Sequence, residues 1–380
     1  MKVLLLSQGI PNSKYPMNGI HQFAYGKALK KKGIDVIVAA HDIRSIYRLR
    51  KPGFHVTEYE GIRTYLQNQF IETNDRLKAG TKAVKGFQKL YQRIKKEETF
   101  DIIHGHFYEY TYGAAMIKER QEPLVISEHS SSINKDSLKN MRKDYYELAK
   151  RTYENCDGII VGSPFFKKRL KKNFGVEATV LPTIINDDVF YCGKEKADFF
   201  KIVSTGNLIE AKGHREMIEA FHRYFSEINA KLYIIGSGPD QKYLEKMIDE
   251  RNLKDSVILR GQCRREEMAK EYADAHIFAL ASRTETYGKV YVEAMAAGLP
   301  VLTVNNGGSE HFIHSFNGKI AKVSDVKSLG INLLDMYKNY DGYDGEKIRA
   351  FEQEEFSESV AVNRLVDFYD KILNKQYEVR

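Results

Sequence analysis

Residues 282–301 read Ser-Arg-Thr-Glu-Thr-Tyr-Gly-Lys-Val-Tyr-Val-Glu-Ala-Met-Ala-Ala-Gly-Leu-Pro-Val, and the fold class turns on this stretch. The apolar run Ile277-Phe278-Ala279-Leu280 ahead of it has the length of a strand. Glu285–Gly288 predicts a loop, Lys289–Ala297 a helix, and Gly298-Leu299-Pro300 a stop before the next strand, Val301-Leu302-Thr303-Val304. Strand, loop, helix and strand in that order make one β-α-β unit, whose two strands run parallel. The loop also brings backbone N–H groups and a helix N-terminus together, which is a ready site for phosphate.

The same alternation extends in both directions. Toward the N-terminus, Lys201–Gly206, Leu232–Gly236 and Val257–Gly261 predict strands, with a helix over His214–Phe225. An earlier series has strands at Val3–Leu6, Asp35–Ala40, Phe100–His104, Leu124–Ser127 and Gly158–Val161, with helices at Ile20–Lys32 and Tyr112–Arg120. The pattern restarts after Tyr191–Phe199. This predicts an α/β chain of two doubly wound halves, 1–194 and 195–356, facing a deep cleft at the carboxyl ends of their strands. A last helix over 357–380, apolar at Val360, Leu365, Phe368, Ile372 and Leu373, is free to pack back on the first half.

Bulk properties narrow the class. At 380 residues, 42% hydrophobic and 29% charged, the chain reads as an ordinary globular protein with room for two domains. No run of about 18 apolar residues exists to span a bilayer, and the opening apolar run is too short for a secretory signal. Three scattered cysteines, Cys156, Cys192 and Cys263, lack metal-ligand spacing and suit a reducing, cytoplasmic compartment. Residues 1–100 carry 19 Lys/Arg against 8 Asp/Glu, a balance of +11, which leaves −3 on the rest of a chain of net charge +8.

Glu285 and Glu293, eight residues apart, are the first candidate pair for chemistry, though a capped surface helix with two unrelated glutamates would look the same. The surrounding segments separate these readings. Glu285-Thr286-Tyr287-Gly288, the second Glu and Glu293-Ala294-Met295-Ala296-Ala297-Gly298-Leu299-Pro300-Val301 stand in a fixed order with several other stretches. These are Asn18-Gly19, Asp101–His106, Ser127-Glu128-His129-Ser130, Leu181–Asn186, Gly206-Asn207-Leu208, Lys212-Gly213, Gly236–Pro239 and Gly307–Glu310. In this the chain resembles the retaining glycosyltransferases of family 4, which have the GT-B fold of two Rossmann-like domains.

The resemblance implies a nucleotide-sugar donor and a role for each matching residue. Glu285 would contact the donor sugar near its reacting carbon, Glu293 the ribose hydroxyls, and His129 the sugar from the first domain. Lys212 would neutralise the diphosphate, with the backbone of Thr286, Tyr287, Gly288 and Lys289 assisting. Gly19 and Gly236 would let their loops approach the same ligand. One departure stands out: many relatives have Arg where this chain has Asn207, so one phosphate cation is missing, and Arg283, two residues before Glu285, is placed by spacing to replace it. No metal or cofactor is expected, because the chain has no Asp-x-Asp and no His/Cys ligand cluster.

Residues 76–96 predict a helix of two characters. Lys78, Lys82, Lys85, Lys89, Arg93 and Lys96 share one arc, and Leu77, Val84, Phe87, Tyr91 and Ile94 the opposite side. The basic arc is either a solvated surface or a face drawn to anionic lipid head groups, at the inner side of a cell membrane. The latter suits a lipid-linked or cell-envelope glycan as acceptor. Nucleic acid is not expected as a partner, since no nucleic-acid module accompanies the charge. Two alternatives stay open from sequence: a GT-B sugar-nucleotide epimerase, and a catalytically silent scaffold of the same fold.

Overall fold

In the computed structural model, residues 1–15, 17–43, 52–71 and 73–379 are described, the last four by backbone alone. The chain divides into two compact units, Met1–Ile184 with Ala361–Arg380, and Ile185–Val360.

The first unit begins with β1 (Lys2–Ser7), α1 (Ile20–Lys31), β2 (Asp35–Asp42) and a hairpin of β3 (Gly53–Tyr59) and β4 (Ile62–Asn68). It continues through α2 (Arg76–Glu97), β5 (Ile102–His106), α3 (Tyr108–Ala115), β6 (Leu124–Glu128), α4 (Lys143–Glu154), β7 (Gly158–Val161), α5 (Pro164–Phe174) and β8 (Thr179–Val180). Its sheet has the order β3-β4-β2-β1-β5-β6-β7-β8, parallel except for β3, which runs antiparallel to β4. Strands β1, β5 and β6 are buried along nearly their whole length because helices cover both faces.

The second unit contains β9 (Phe200–Thr205), α6 (His214–Phe225), β10 (Ala230–Ile235), α7 (Gln241–Glu250), β11 (Val257–Gly261) and α8 (Arg265–Ala273). Then follow β12 (Ile277–Ala279), α9 (Lys289–Ala296), β13 (Val301–Val304), β14 (Gly318–Ala321), α10 (Val326–Lys338) and α11 (Gly345–Glu355). All six strands are parallel, in the order β11-β10-β9-β12-β13-β14. One apolar layer packs α6, α7 and α10 on this sheet; the other packs α8, α9 and α11.

The last helix, α12 (Glu358–Val379), returns to the first unit. Ala361, Val362, Leu365, Phe368, Tyr369 and Ile372 join the core that α1 lays on the first sheet. Gly158 has no side chain because one would overlap the Phe368 ring, a Cβ there falling 2.7 Å from it.

The division falls ten residues before the 194/195 boundary expected from sequence. Ile185 and Phe190 explain the shift: both are buried in the second unit, where Phe190 stacks on Tyr272 at 5.6 Å. A second difference lies in α3, which starts at Tyr108 and ends near Ala115, earlier than the predicted Tyr112–Arg120. The Glu128 carboxylate accepts from the Tyr108 N–H, an orphan donor of the first turn, and so supplies an N-terminal cap.

Helix α11 carries a carboxyl with a stability consequence. Glu352 is 1% exposed, and neither of its oxygens has a hydrogen-bond partner among the described residues. Burial, reinforced by Asp187, pushes its pKa up to about 8. The neutral acid is therefore the form the fold favours. Its contribution is fully present below the ordinary glutamate range and is lost as pH rises through about 8. Thermal melts of the wild type should fall between pH 6 and pH 9, and Glu352→Gln should flatten that decline, recovering on the order of 3 kcal/mol at pH 9. Equal slopes for the two proteins would show that Glu352 ionises normally in the fold.

Candidate active site

In a doubly wound sheet, ligands gather where successive connections leave in opposite directions. In the second unit that point lies between β9 and β12, because the chain runs from β9 outward to β10 and β11 and then returns to β12. The loops at this point hold most of the residues singled out from sequence.

The loop after β12 is stitched to both neighbours. Arg283 N–H donates to the Ala211 carbonyl (2.8 Å) in the loop after β9, and Glu285 N–H donates to the Asn306 carbonyl (3.2 Å) after β13. Gly308 packs so closely on the Glu285 backbone that a Cβ there would lie 2.6 Å from its carbonyl oxygen. Asn306 holds the turn that makes this approach, accepting from the N–H groups of Gly308 (3.0 Å) and Ser309 (3.2 Å). Glu285 is thus fixed by backbone contacts on two sides. Its carboxylate accepts from the Lys212 ammonium at 2.5 Å, across 73 residues of sequence. Both side chains keep partial exposure, 24% for Lys212 and 12% for Glu285, so the pair is open to an incoming anion.

Gly288 ends this loop with φ +89 and is the residue before α9, as its place in the sequence required. Thr286 and Lys289 are half-buried beside it, and Tyr287 is buried. Burial lowers the Lys289 ammonium to about 8, with Glu293 opposing the shift. Glu293, one turn further along α9 and 5% exposed, accepts from Arg265 of α8 at 3.0 Å. Burial raises its pKa and Arg265 works against the rise. Gly236, after β10, passes so near Gly206 that a Cβ would fall 2.0 Å from its carbonyl oxygen. Asn207, next in the chain, is exposed.

Arg283, beside Glu285 in sequence, is held by two carboxylates. Its guanidinium donates to Glu216 at 2.7 Å and to Glu210 at 2.8 Å, and these carboxylates raise its pKa further. To serve a diphosphate in place of an arginine at 207 it must leave both.

In the first unit the corresponding point lies between β1 and β5. Gly19, with φ +78, starts α1, and a Cβ there would lie 2.4 Å from the Gly9 carbonyl oxygen, so only glycine fits. His104 and His106 share one face of β5, both fully buried, with rings stacked at 4.6 Å. His106 Nδ1 lies 3.2 Å from Nε2 of His129, whose half-buried ring follows the end of β6. Phe107 joins β5 to α3 at φ 61 and ψ 136, a conformation that costs a residue with a Cβ about 1–3 kcal/mol, and its ring packs edge-on against His129 at 5.4 Å.

Sequence reading did not find Arg265, Glu216, Glu210 or Phe107. Each acts through a contact between distant segments, and no local motif marks it. The Gly307–Glu310 segment was visible as a motif, but its use as a support for Glu285 was not.

The family description "Glycosyltransferase Family 4" matches residues 19–189, and "Glycosyl transferases group 1" matches residues 193–353. An uncharacterized glycosyltransferase of Methanocaldococcus jannaschii is 26% identical over 80% of this chain and 85% of its own. The alpha-monoglucosyldiacylglycerol synthase of Acholeplasma laidlawii is 27% identical over 58% of this chain and 64% of its own. Among solved structures, a sucrose-phosphate synthase from Thermosynechococcus elongatus superposes with a TM-score of 0.80 at 19% identity, covering 99% of this chain and 100% of its own. The two matches together span both units in the order the motifs require, and the fold is GT-B. The chain belongs to the group 1, family 4 glycosyltransferases.

Proposed function

We propose that this enzyme transfers a sugar, with retention of configuration, from a nucleotide diphosphate donor to a lipid-linked or cell-envelope glycan. The observation that carries the reading is the Lys212–Glu285 contact at the turning point of the second sheet. One charge suits a departing diphosphate and the other a sugar carbon gaining positive charge, and the fold holds the two 2.5 Å apart. Glu293 would take the ribose hydroxyls, and the N–H groups that open α9 would face the phosphates. Thr286, Tyr287, Lys289, Gly236 and Asn207 complete the donor side, and the family resemblance implies donor roles for Gly19 and His129 as well. The leaving phosphate accepts the proton of the acceptor hydroxyl, and attack comes from the same face. The protein then supplies position and charge, and the scheme requires no metal or other cofactor.

A screen of UDP-, GDP- and ADP-sugars, measuring nucleoside diphosphate release with and without a cell-envelope lipid extract, tests the assignment. Release that depends on the extract and yields a glycosylated product supports it. An epimerised donor with no transferred sugar would replace it with the epimerase alternative.

The lipid part of the proposal rests on α2. Asp75 caps it, accepting from the Lys78 N–H, while Gly80, Ala83, Phe87, Leu90, Tyr91 and Ile94 are buried. Lys78, Lys82, Lys85, Lys89 and Arg93 are all exposed, and Arg93 lies over the Phe54 ring at 4.5 Å. No helix among the described residues is long and apolar enough to cross a membrane. The enzyme would therefore sit at the inner membrane face by charge, each cation contributing about 1 kcal/mol. The name of the diacylglycerol-glucosylating relative is consistent with an acceptor at such a surface. Replacing Lys82 and Lys85 by serine should weaken binding to vesicles containing about one-third phosphatidylglycerol by about 30-fold at low salt. Unchanged binding would leave the basic arc as a solvated surface.

A further inference from the structure

A buried carboxylate that the proposed chemistry does not use lies directly behind His129. Glu128 ends β6 and is fully enclosed, with both oxygens occupied twice. Oε1 accepts from the backbone N–H groups of His129 (2.9 Å) and Ser130 (2.8 Å). Oε2 accepts from the Tyr108 N–H (3.0 Å) and from the Tyr153 hydroxyl (2.8 Å). The first pair of bonds shapes the turn that carries the His129 ring. The second pair holds the first residue of α3, next to Phe107 in its positive-φ conformation. The Phe107 ring and the His106 ring are two neighbours of the His129 imidazole, at 5.4 Å each between centroids. One side chain therefore controls both the backbone of His129 and the helix start beside which Phe107 is held.

We propose that Glu128 is a positioning residue for sugar transfer, holding His129 and Phe107 in register through these four hydrogen bonds. The inference rests on the reading that His129 faces the donor sugar. A carboxylate is suited to the task because it is an acceptor on both oxygens, and all four surrounding groups are donors. Glutamine keeps the shape and turns one of its two ends into a donor that opposes either two amides or an amide and a hydroxyl. Burial, with Glu109 nearby, raises the Glu128 pKa to about 7, while the bonds from Ser130, Tyr153 and Tyr108 oppose the rise. The Tyr153 hydroxyl is pushed far above its ordinary range by its own burial and by Glu128, so it stays a donor at every working pH.

The test is a double-mutant cycle on the full-length enzyme, with the donor that the screen above selects. Glu128→Gln should lower kcat about tenfold and leave donor KM within twofold. Combined with His129→Ala, it should cost nothing further, because the ring it positions is gone. If the two losses multiply, Glu128 acts on stability or elsewhere and the inference fails. Full activity of Glu128→Gln beside an inactive His129→Ala also overturns it, and leaves the role of His129 intact. Full activity of His129→Ala overturns the role of His129 and the positioning of it together. Should Glu128→Gln not fold, Tyr153→Phe removes one of the four donors without disturbing the backbone, and the same cycle applies with an expected threefold loss in kcat.

Discussion

Lys212→Ala is expected to lower turnover by 10²- to 10³-fold while leaving the melting temperature within a degree or two of the wild type. Lys212 keeps partial exposure, and its ammonium pairs with the Glu285 carboxylate. Little packing is lost with it. The rate effect has a different origin. Removing one charge contact to a developing anion costs about 3–4 kcal/mol in the barrier, and here the loss is compounded because the Glu285 carboxylate no longer has the Lys212 ammonium beside it when the diphosphate arrives. Donor KM should therefore rise together with the fall in kcat, so that kcat/KM drops further than either alone. Lys212→Arg keeps the charge and should recover part of the rate. Wild-type kinetics for Lys212→Ala would show that the leaving group is neutralised elsewhere.

Glu285→Gln should produce the opposite split. Its carboxylate is the negative partner of Lys212, and by the proposed mechanism it also faces the sugar carbon as that carbon gains positive charge. Glutamine keeps the shape and removes the charge. We expect kcat to fall about 1,000-fold, the upper end of what one preorganised charge supplies. Affinity for the nucleoside diphosphate should stay equal or improve, since Lys212 no longer has a competing anion beside it. Titration of the diphosphate into wild type and variant checks this directly. A weakened diphosphate affinity would mean that Glu285 organises the phosphate site and does not face the sugar.

These two residues also show how far the sequence could be read. The parallel strands were legible because central strands of a covered sheet are short apolar runs. The helices His214–Phe225 and Lys289–Ala296 were legible from their start and stop signals. The β3–β4 hairpin was not, because β3 is exposed along most of its length and carries no apolar run to mark it. Motif order placed Lys212, Glu285 and Glu293 in one family pattern, but not the 2.5 Å contact between the first two, which depends on the loop after β12 being bonded to loops on both sides. For Arg283, spacing along the chain did not show the carboxylates that hold it. These carboxylates, Glu210 in the loop after β9 and Glu216 in α6, stand some 70 residues earlier. The Glu128 contacts were equally hidden: the motif was visible, and the side chain beneath it was not.

The return of α12 to the first unit has a consequence for biosynthesis. A ribosome releases residues 1–184 first, yet the apolar face that Leu365, Phe368, Tyr369 and Ile372 complete stays bare until about 180 further residues have been translated. At ~5–20 residues per second that interval is roughly 10–35 s. The inserted segment, contiguous from Ile185 to Val360, is synthesised during it. The nascent first unit therefore exposes that apolar face for the whole interval, and any truncation upstream of Ala361 would leave it exposed for good.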